Sequence, residues 1–174
     1  MRSQLTDYRI FFREFWRTYQ STGAILPSGR LLARALTHYI RHGSDPGQPR
    51  RILEVGPGTG AVTVAIADTL RATDRLDLVE LNDRFVQRLR KRLVSDPRLA
   101  PIADRTELIH GNLRELPPDT QYDIVVSGLP LNNFPVALVD ELLNALRARL
   151  RPGGTLSFFE YIAIRRIKAV FSQA

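Results

Sequence analysis

The chain contains no cysteine. Disulfides, cysteine-ligated zinc, iron–sulfur clusters and thiolate nucleophiles are therefore excluded. Histidine is scarce: His38, His42 and His110 are the only three. His38 and His42 stand four residues apart, but no acid between them completes a metal motif, so no metal is expected. Lysine is nearly absent, with Lys91 and Lys168 the two present, so the net charge of +7 is carried by arginine. No apolar run approaches the roughly 20 residues needed to span a bilayer. Arg9, Arg13 and Glu14 interrupt the N-terminal aromatic run, which does not read as a signal peptide. A cytoplasmic location is expected. There are no internal repeats and no low-complexity segment.

What remains is a chain of 174 residues, 44% hydrophobic and 25% charged, enough for one domain with a proper core. The excess of positive charge favours an anionic partner, either nucleic acid or an acidic membrane surface. A helical N-terminal part (residues 1–42) is expected to be followed, after a Gly/Pro-rich linker from Gly43 to Pro49, by an α/β part (residues 50–174). In that part short apolar strands alternate with helices. Strands are expected at Arg51–Val55, Leu76–Glu80, Glu107–His110, Tyr122–Ser127 and Thr155–Ile162, with a turn at Pro152–Gly154. Helices are expected at Ala61–Leu70, Arg84–Leu93 and Val136–Leu150, the last from leucines at steps of four (Leu138, Leu142, Leu146, Leu150). A further helix, Arg30–Arg41, leads into the first strand. Alternation of this kind predicts a Rossmann-like parallel sheet with helices on both faces.

Four strand ends carry chemistry. The first strand runs into GPGTG (Gly56–Gly60), a turn whose bare backbone can approach a ligand before a helix starts. Its spacing is not that of a dinucleotide binder. Glu54, two residues earlier, would repel a pyrophosphate but suits an ammonium group. Glu80 ends the second strand, where an acid can accept both hydroxyls of a ribose. Gly111 and Asn112 follow the third strand, where a base would lie. SGLP (Ser127–Pro130) ends the fourth. Together these features resemble the class I methyltransferases that use S-adenosylmethionine. The resemblance implies that Glu54, Gly56, Pro57, Gly58 and Gly60 line the methionine portion. It places Glu80 at the ribose and Asn112 at the adenine, with Leu81, Leu113 and Ser127 among the cofactor-binding residues. That family more often has Asp where Asn112 stands.

The N-terminal segment Leu5–Gln20 reads as an amphipathic helix. Leu5, Tyr8, Phe12, Phe15, Trp16 and Tyr19 recur at helical spacing, while Arg9, Arg13 and Arg17 form a stripe. FFREF (Phe11–Phe15), TGAILPS (Thr22–Ser28), EVGPGTG (Glu54–Gly60), SGLP and LRPGG (Leu150–Gly154) together resemble the bacterial phospholipid N-methyltransferases. This implies stepwise methylation of phosphatidylethanolamine towards phosphatidylcholine by an enzyme peripheral to the inner face of the cytoplasmic membrane. Tyr19, Tyr161, His110 and Tyr8 are the candidates for handling the amine's proton or its cation. Arg9, Arg13, Arg17, Arg30 and Arg34 are the candidates for lipid phosphates. A monomer without a nucleic-acid partner is expected. Sheets of this class normally finish with a reversed hairpin, which is absent here, and a native chain running on by about 25–40 residues would supply it.

Two rival readings stay open. RNA adenine dimethylases are similar in the N-terminal segment and cofactor loop, but usually carry Asn and an aromatic residue where this chain has Ser127 and Leu131. A non-catalytic membrane- or protein-binding module with this fold is the other.

Overall fold

In a computed structural model the structure describes residues 28–42 and 47–159. Five strands form one parallel sheet in the order β3-β2-β1-β4-β5: β1 Arg51–Val55, β2 Arg75–Glu80, β3 Thr106–His110, β4 Tyr122–Ser127 and β5 Leu150–Phe158. The helices are α1 Ser28–Leu36, α2 His38–His42, α3 Ala61–Ala67, α4 Asp83–Ser95 and α5 Val136–Arg147, with 3₁₀ turns at Ala100–Arg105, Leu113–Glu115 and Leu131–Asn133.

Successive side chains of a strand point to opposite faces, and a parallel sheet buries both. Ile52, Leu76, Leu78, Ile124 and Val126 face one layer, where Leu36, Ile40, Val64, Ile66, Leu93 and Leu99 close the core. Leu53, Val55, Val79 and Val125 face the other, against Leu138 and Leu146. Each such side chain contributes about 1.5–3 kcal/mol by leaving water. The helices before β1 thus share a core with the sheet through Leu36 and Ile40.

Strand β1 and β4 follow their expected bounds, and the other differences are local. The expected single helix Arg30–Arg41 is two helices, broken at Thr37, whose hydroxyl donates back to the Ala33 carbonyl at 2.9 Å. The Thr37 N–H keeps its own bond to the same carbonyl at 3.1 Å, and such back-bonding bends a helix at that point. The expected helix to Leu150 ends at Arg147, and Leu150 opens β5 opposite Tyr122. The expected turn at Pro152–Gly154 lies inside β5 as an irregularity. Tyr122 pairs with Leu150 but Ile124 with Thr155, and the surplus residues are taken up around Gly153, whose φ is 78°. Strand β5 accordingly runs from Leu150 to Phe158, not Thr155 to Ile162. Residues 160–162 of that expectation lie outside the described residues.

Candidate active site

All five strands point their carboxyl ends to one edge, and the four sequence signals meet there. The GPGTG turn holds Gly56, Gly58 and Gly60 at φ values of 70°, 56° and 83°. This left-handed region penalises any side chain. Space adds a smaller restriction, because a new side chain would have to push neighbouring side chains aside. A Cβ on Gly56 would lie 2.7 Å from Leu129 Cδ2, and one on Gly60 would lie 2.7 Å from Arg92 Nη1.

Glu54 is fully buried in β1, and neither of its carboxylate oxygens has a hydrogen-bond partner among the described residues. The hydroxyl of Thr63, in the first turn of α3, is likewise unpartnered. Burial pushes the Glu54 carboxyl up to about 8. The charge of Glu80 adds to that rise. A buried acid without a partner is costly. A cationic group brought beside it would restore the carboxylate and satisfy it.

Glu80 is also buried, but differently supplied. Its Oε2 accepts the Gly58 N–H at 3.0 Å and its Oε1 the Asn82 N–H at 2.8 Å. Burial raises its pKa, while the N–H groups of Asn82, Gly58 and Leu81 and the nearby His110 oppose the rise. Each carboxylate oxygen can accept a second bond. The acid therefore both fixes the glycine turn and retains acceptors for a pair of sugar hydroxyls. Arg92 holds the turn from the other side: its Nη1 donates to the Thr59 carbonyl at 2.6 Å while its Nε and Nη2 grip Asp96.

After β3, Asn112 caps the following 3₁₀ turn. Its Oδ1 accepts the Arg114 N–H at 3.0 Å, and Glu115 Oε2 accepts the Asn112 N–H at 2.9 Å. This reciprocal cap leaves the Asn112 amide nitrogen as the donor to offer a base. Arg149, buried at the start of β5, braces the same segment by donating to the carbonyls of Pro117 at 2.5 Å, Leu116 at 3.0 Å and Leu113 at 3.2 Å. At the end of β4, Ser127 is fully buried and its Oγ accepts the Leu129 N–H at 3.4 Å. A Cβ on Gly128 would lie 2.7 Å from the Gly56 carbonyl oxygen, so the two strand-end turns pack backbone to backbone.

The structure thus brings Glu54, Gly56, Pro57, Gly58, Gly60, Glu80, Leu81, Asn112, Leu113 and Ser127 to one edge. His110 ends β3 in register with Glu80, and its side chain is exposed. Arg30 and Arg34 are exposed on α1. Tyr8, Tyr19, Tyr161, Arg9, Arg13 and Arg17 lie outside the described residues. Two bracing residues, Arg92 and Arg149, do not figure among the sequence-based expectations. Only the four-residue spacing of Arg92 to Asp96 signals an ordered guanidinium. Among the described residues there is no cluster of three or more metal-ligating side chains, and no helix is long and apolar enough to cross a membrane.

A glycine turn beside an unpartnered acid, with a second acid one strand away, defines a nucleoside-cofactor site at the edge of a Rossmann-like sheet. The family model described as a methyltransferase domain matches residues 52–154, and the chain belongs to that family. S-adenosylmethionine is a cofactor whose chemistry suits this donor set, since its ammonium matches the buried, unpartnered acid Glu54 and its sugar hydroxyls match the remaining acceptor capacity of Glu80. The chain is 28% identical over 160 residues to an ornithine lipid N-methyltransferase of Singulisphaera acidiphila, covering 88% of this chain and 77% of that protein. It is 28% identical over 120 residues to the ubiquinone/menaquinone biosynthesis C-methyltransferase UbiE of Ectopseudomonas mendocina, covering 68% of this chain but 44% of the relative. Among solved structures, the glycopeptide N-methyltransferase MtfA in complex with S-adenosylmethionine superposes with a TM-score of 0.53 at 26% identity, covering 69% of this chain and 48% of that one. The chain spans about half the length of that enzyme and under half of the C-methyltransferase.

Proposed function

We propose that the chain methylates the amine of a membrane lipid headgroup, with S-adenosylmethionine as donor and phosphatidylethanolamine as the substrate, stepwise towards phosphatidylcholine. The observation that carries the cofactor half of the reading is the buried, unpartnered Glu54 carboxyl beside the glycine turn, a place that a cationic donor group would complete. When bound, the cofactor supplies a sulfonium methyl that an amine can take in one displacement, breaking the S–CH₃ bond and forming N–CH₃. Glu54 anchors the methionine end, Glu80 sets the sugar, and the Asn112 turn sets the base. Together they fix where the sulfur stands, so the protein's contribution is alignment more than activation. A lipid ammonium must lose its proton before it can attack. Tyr8, Tyr19, Tyr161 and His110 are the proposed acceptors or cation-holding rings.

The amine half of the reading is supported by the ornithine lipid N-methyltransferase relative, which matches over most of both chains. Base methylation is disfavoured by the β4 edge. Leu131 stands where a stacking ring would be needed and is packed into the core at 2% exposure. The test is incubation of the protein and S-adenosylmethionine with liposomes carrying phosphatidylethanolamine or ornithine lipid, followed by mass spectrometry of the headgroups. Methylated phosphatidylethanolamine is the expected product. Methylation of ornithine lipid alone would keep the lipid-amine reading and move the substrate. Both lipids unchanged, with the cofactor bound, would sink it.

A further inference from the structure

Helix α4 carries five cations, Arg84, Arg88, Arg90, Lys91 and Arg92, against the single acid Asp83. Only Arg92 has an acid partner, Asp96, and Asp83 accepts the Gln87 amide at 2.7 Å. Arg84, Arg88, Arg90 and Lys91 are exposed, and none is paired with an acid among the described residues. The opposite face of α4, made by Phe85, Val86, Leu89 and Leu93, is buried in the domain. Arg84, Arg88 and Lys91 therefore line up along the outer ridge at spacings of four and three, with Val94 beside them at 79% exposure.

Folding gains nothing from this arrangement. Like charges at these spacings repel each other, and Arg84 sits in the first turn, where the helix's positive end disfavours a cation. An anionic surface would relieve both. The ridge is convex and carries no exposed aromatic ring, so it offers nothing on which bases could stack. It suits a plane of phosphates, and Val94 gives it an apolar point for the boundary beneath them. Arg84 is four residues beyond Glu80, so the ridge begins beside the cofactor crevice.

We infer that the outer ridge of α4 docks the domain on an anionic lipid bilayer, through Arg84, Arg88 and Lys91 with Arg90 at the flank. The inference rests on the lipid-amine reading above, since docking here would bring the crevice to the headgroups.

The experiment compares the full chain with the variant Arg84→Gln/Arg88→Gln/Lys91→Gln in vesicle sedimentation. One set of vesicles is phosphatidylcholine alone and the other contains phosphatidylglycerol as anionic component. A control, Arg147→Gln, removes an exposed cation from α5. Titration with S-adenosylmethionine confirms that each variant is folded. The expected result is a drop of about 100-fold in partitioning onto the anionic vesicles at low salt, from three surface charges. A shallower salt dependence should accompany it, with no change on phosphatidylcholine and none for the control. Equal partitioning of variant and parent overturns the inference. So does a loss of the same size on both vesicles, or retention of RNA by the parent through these residues without vesicle binding. Methylation of a short-chain, monomerically dissolved phosphatidylethanolamine separates the two proposals. The triple variant should match the parent there, and failure of the parent itself would strike the substrate reading while leaving the vesicle result to stand.

Discussion

The two ends of the same sheet treat acidic side chains in opposite ways. At the amino end Asp74, Asp77 and Asp123 are each matched by an arginine. The Arg50 Nη2 donates to Asp74 Oδ2 at 2.6 Å in a pair whose side chains are 5% and 0% exposed. Asp77 receives Arg51 at 2.7 Å and the Tyr122 hydroxyl at 2.8 Å, and Arg151 meets Asp123 at 2.6 Å. At the carboxyl end Glu54 has no partner and Glu80 has only backbone N–H groups. Both ends are buried, so burial does not separate them. The first end is complete within the chain, whereas the second is completed by something brought to it. Charge pairing at one edge holds the strands in register, and its absence at the other defines where a cation goes.

The comparison is broken most directly at its complete end. Asp74→Ala leaves the Arg50 guanidinium buried without its counter-ion and should cost about 3–5 kcal/mol, read as a lower midpoint in urea. Affinity for S-adenosylmethionine per folded molecule should be unchanged. The hydrogen bonds from Arg50 and Arg71 hold the Asp74 carboxyl below its usual range against the desolvation that would raise it. Its stabilising contribution is therefore present above the ordinary carboxylate range and lost as pH falls through the lowered value.

At the other end the signs reverse. Glu54→Gln should weaken S-adenosylmethionine binding by about 100-fold, the loss of one charge-assisted contact in a dry site. Unfolding of the ligand-free protein should be unaffected or shifted upward. Calorimetric titration and a melt of the same sample give both readings, and a destabilised variant with normal affinity would erase the contrast between the two ends.

The smallest effect sharpens the comparison further. A carboxyl held up to about 8 when folded and near its ordinary value when unfolded binds more protons in the folded state between those limits. Ligand-free stability should therefore fall as pH rises from about 4.5 to about 8. Binding a cation beside Glu54 drives its proton off, so cofactor binding at pH 7 should release nearly one proton, about 0.9. Titrations in buffers of different ionisation enthalpy measure that release, and Glu54→Gln should abolish it.

Much of this was legible in the sequence because it is written in short apolar runs and glycines. The β1 and β4 runs can only be buried strands, and three glycines within five residues leave little choice of turn. The failures share a physical cause. Leu150 continues the four-residue leucine spacing of α5, yet its neighbour Arg149 already bonds to β4, its carbonyl accepting the Tyr122 N–H at 2.8 Å. Local periodicity cannot register such a long-range pairing. Arg92 and Arg149 are charged residues whose partners are carbonyls many positions away, so pattern alone places them in solvent. Thr37 breaks a helix by a hydroxyl bond that any helical threonine could decline.

The near-contact between Gly128 and the Gly56 carbonyl has a kinetic corollary. The Gly128 N–H also donates to the Val55 carbonyl at 2.9 Å, so the turn after β1 and the turn after β4 are tied backbone to backbone and move as one piece. A methyl group added at position 128 would press on the Gly56 carbonyl, which unlike a side chain cannot rotate aside, so the two turns would have to part and turnover should fall.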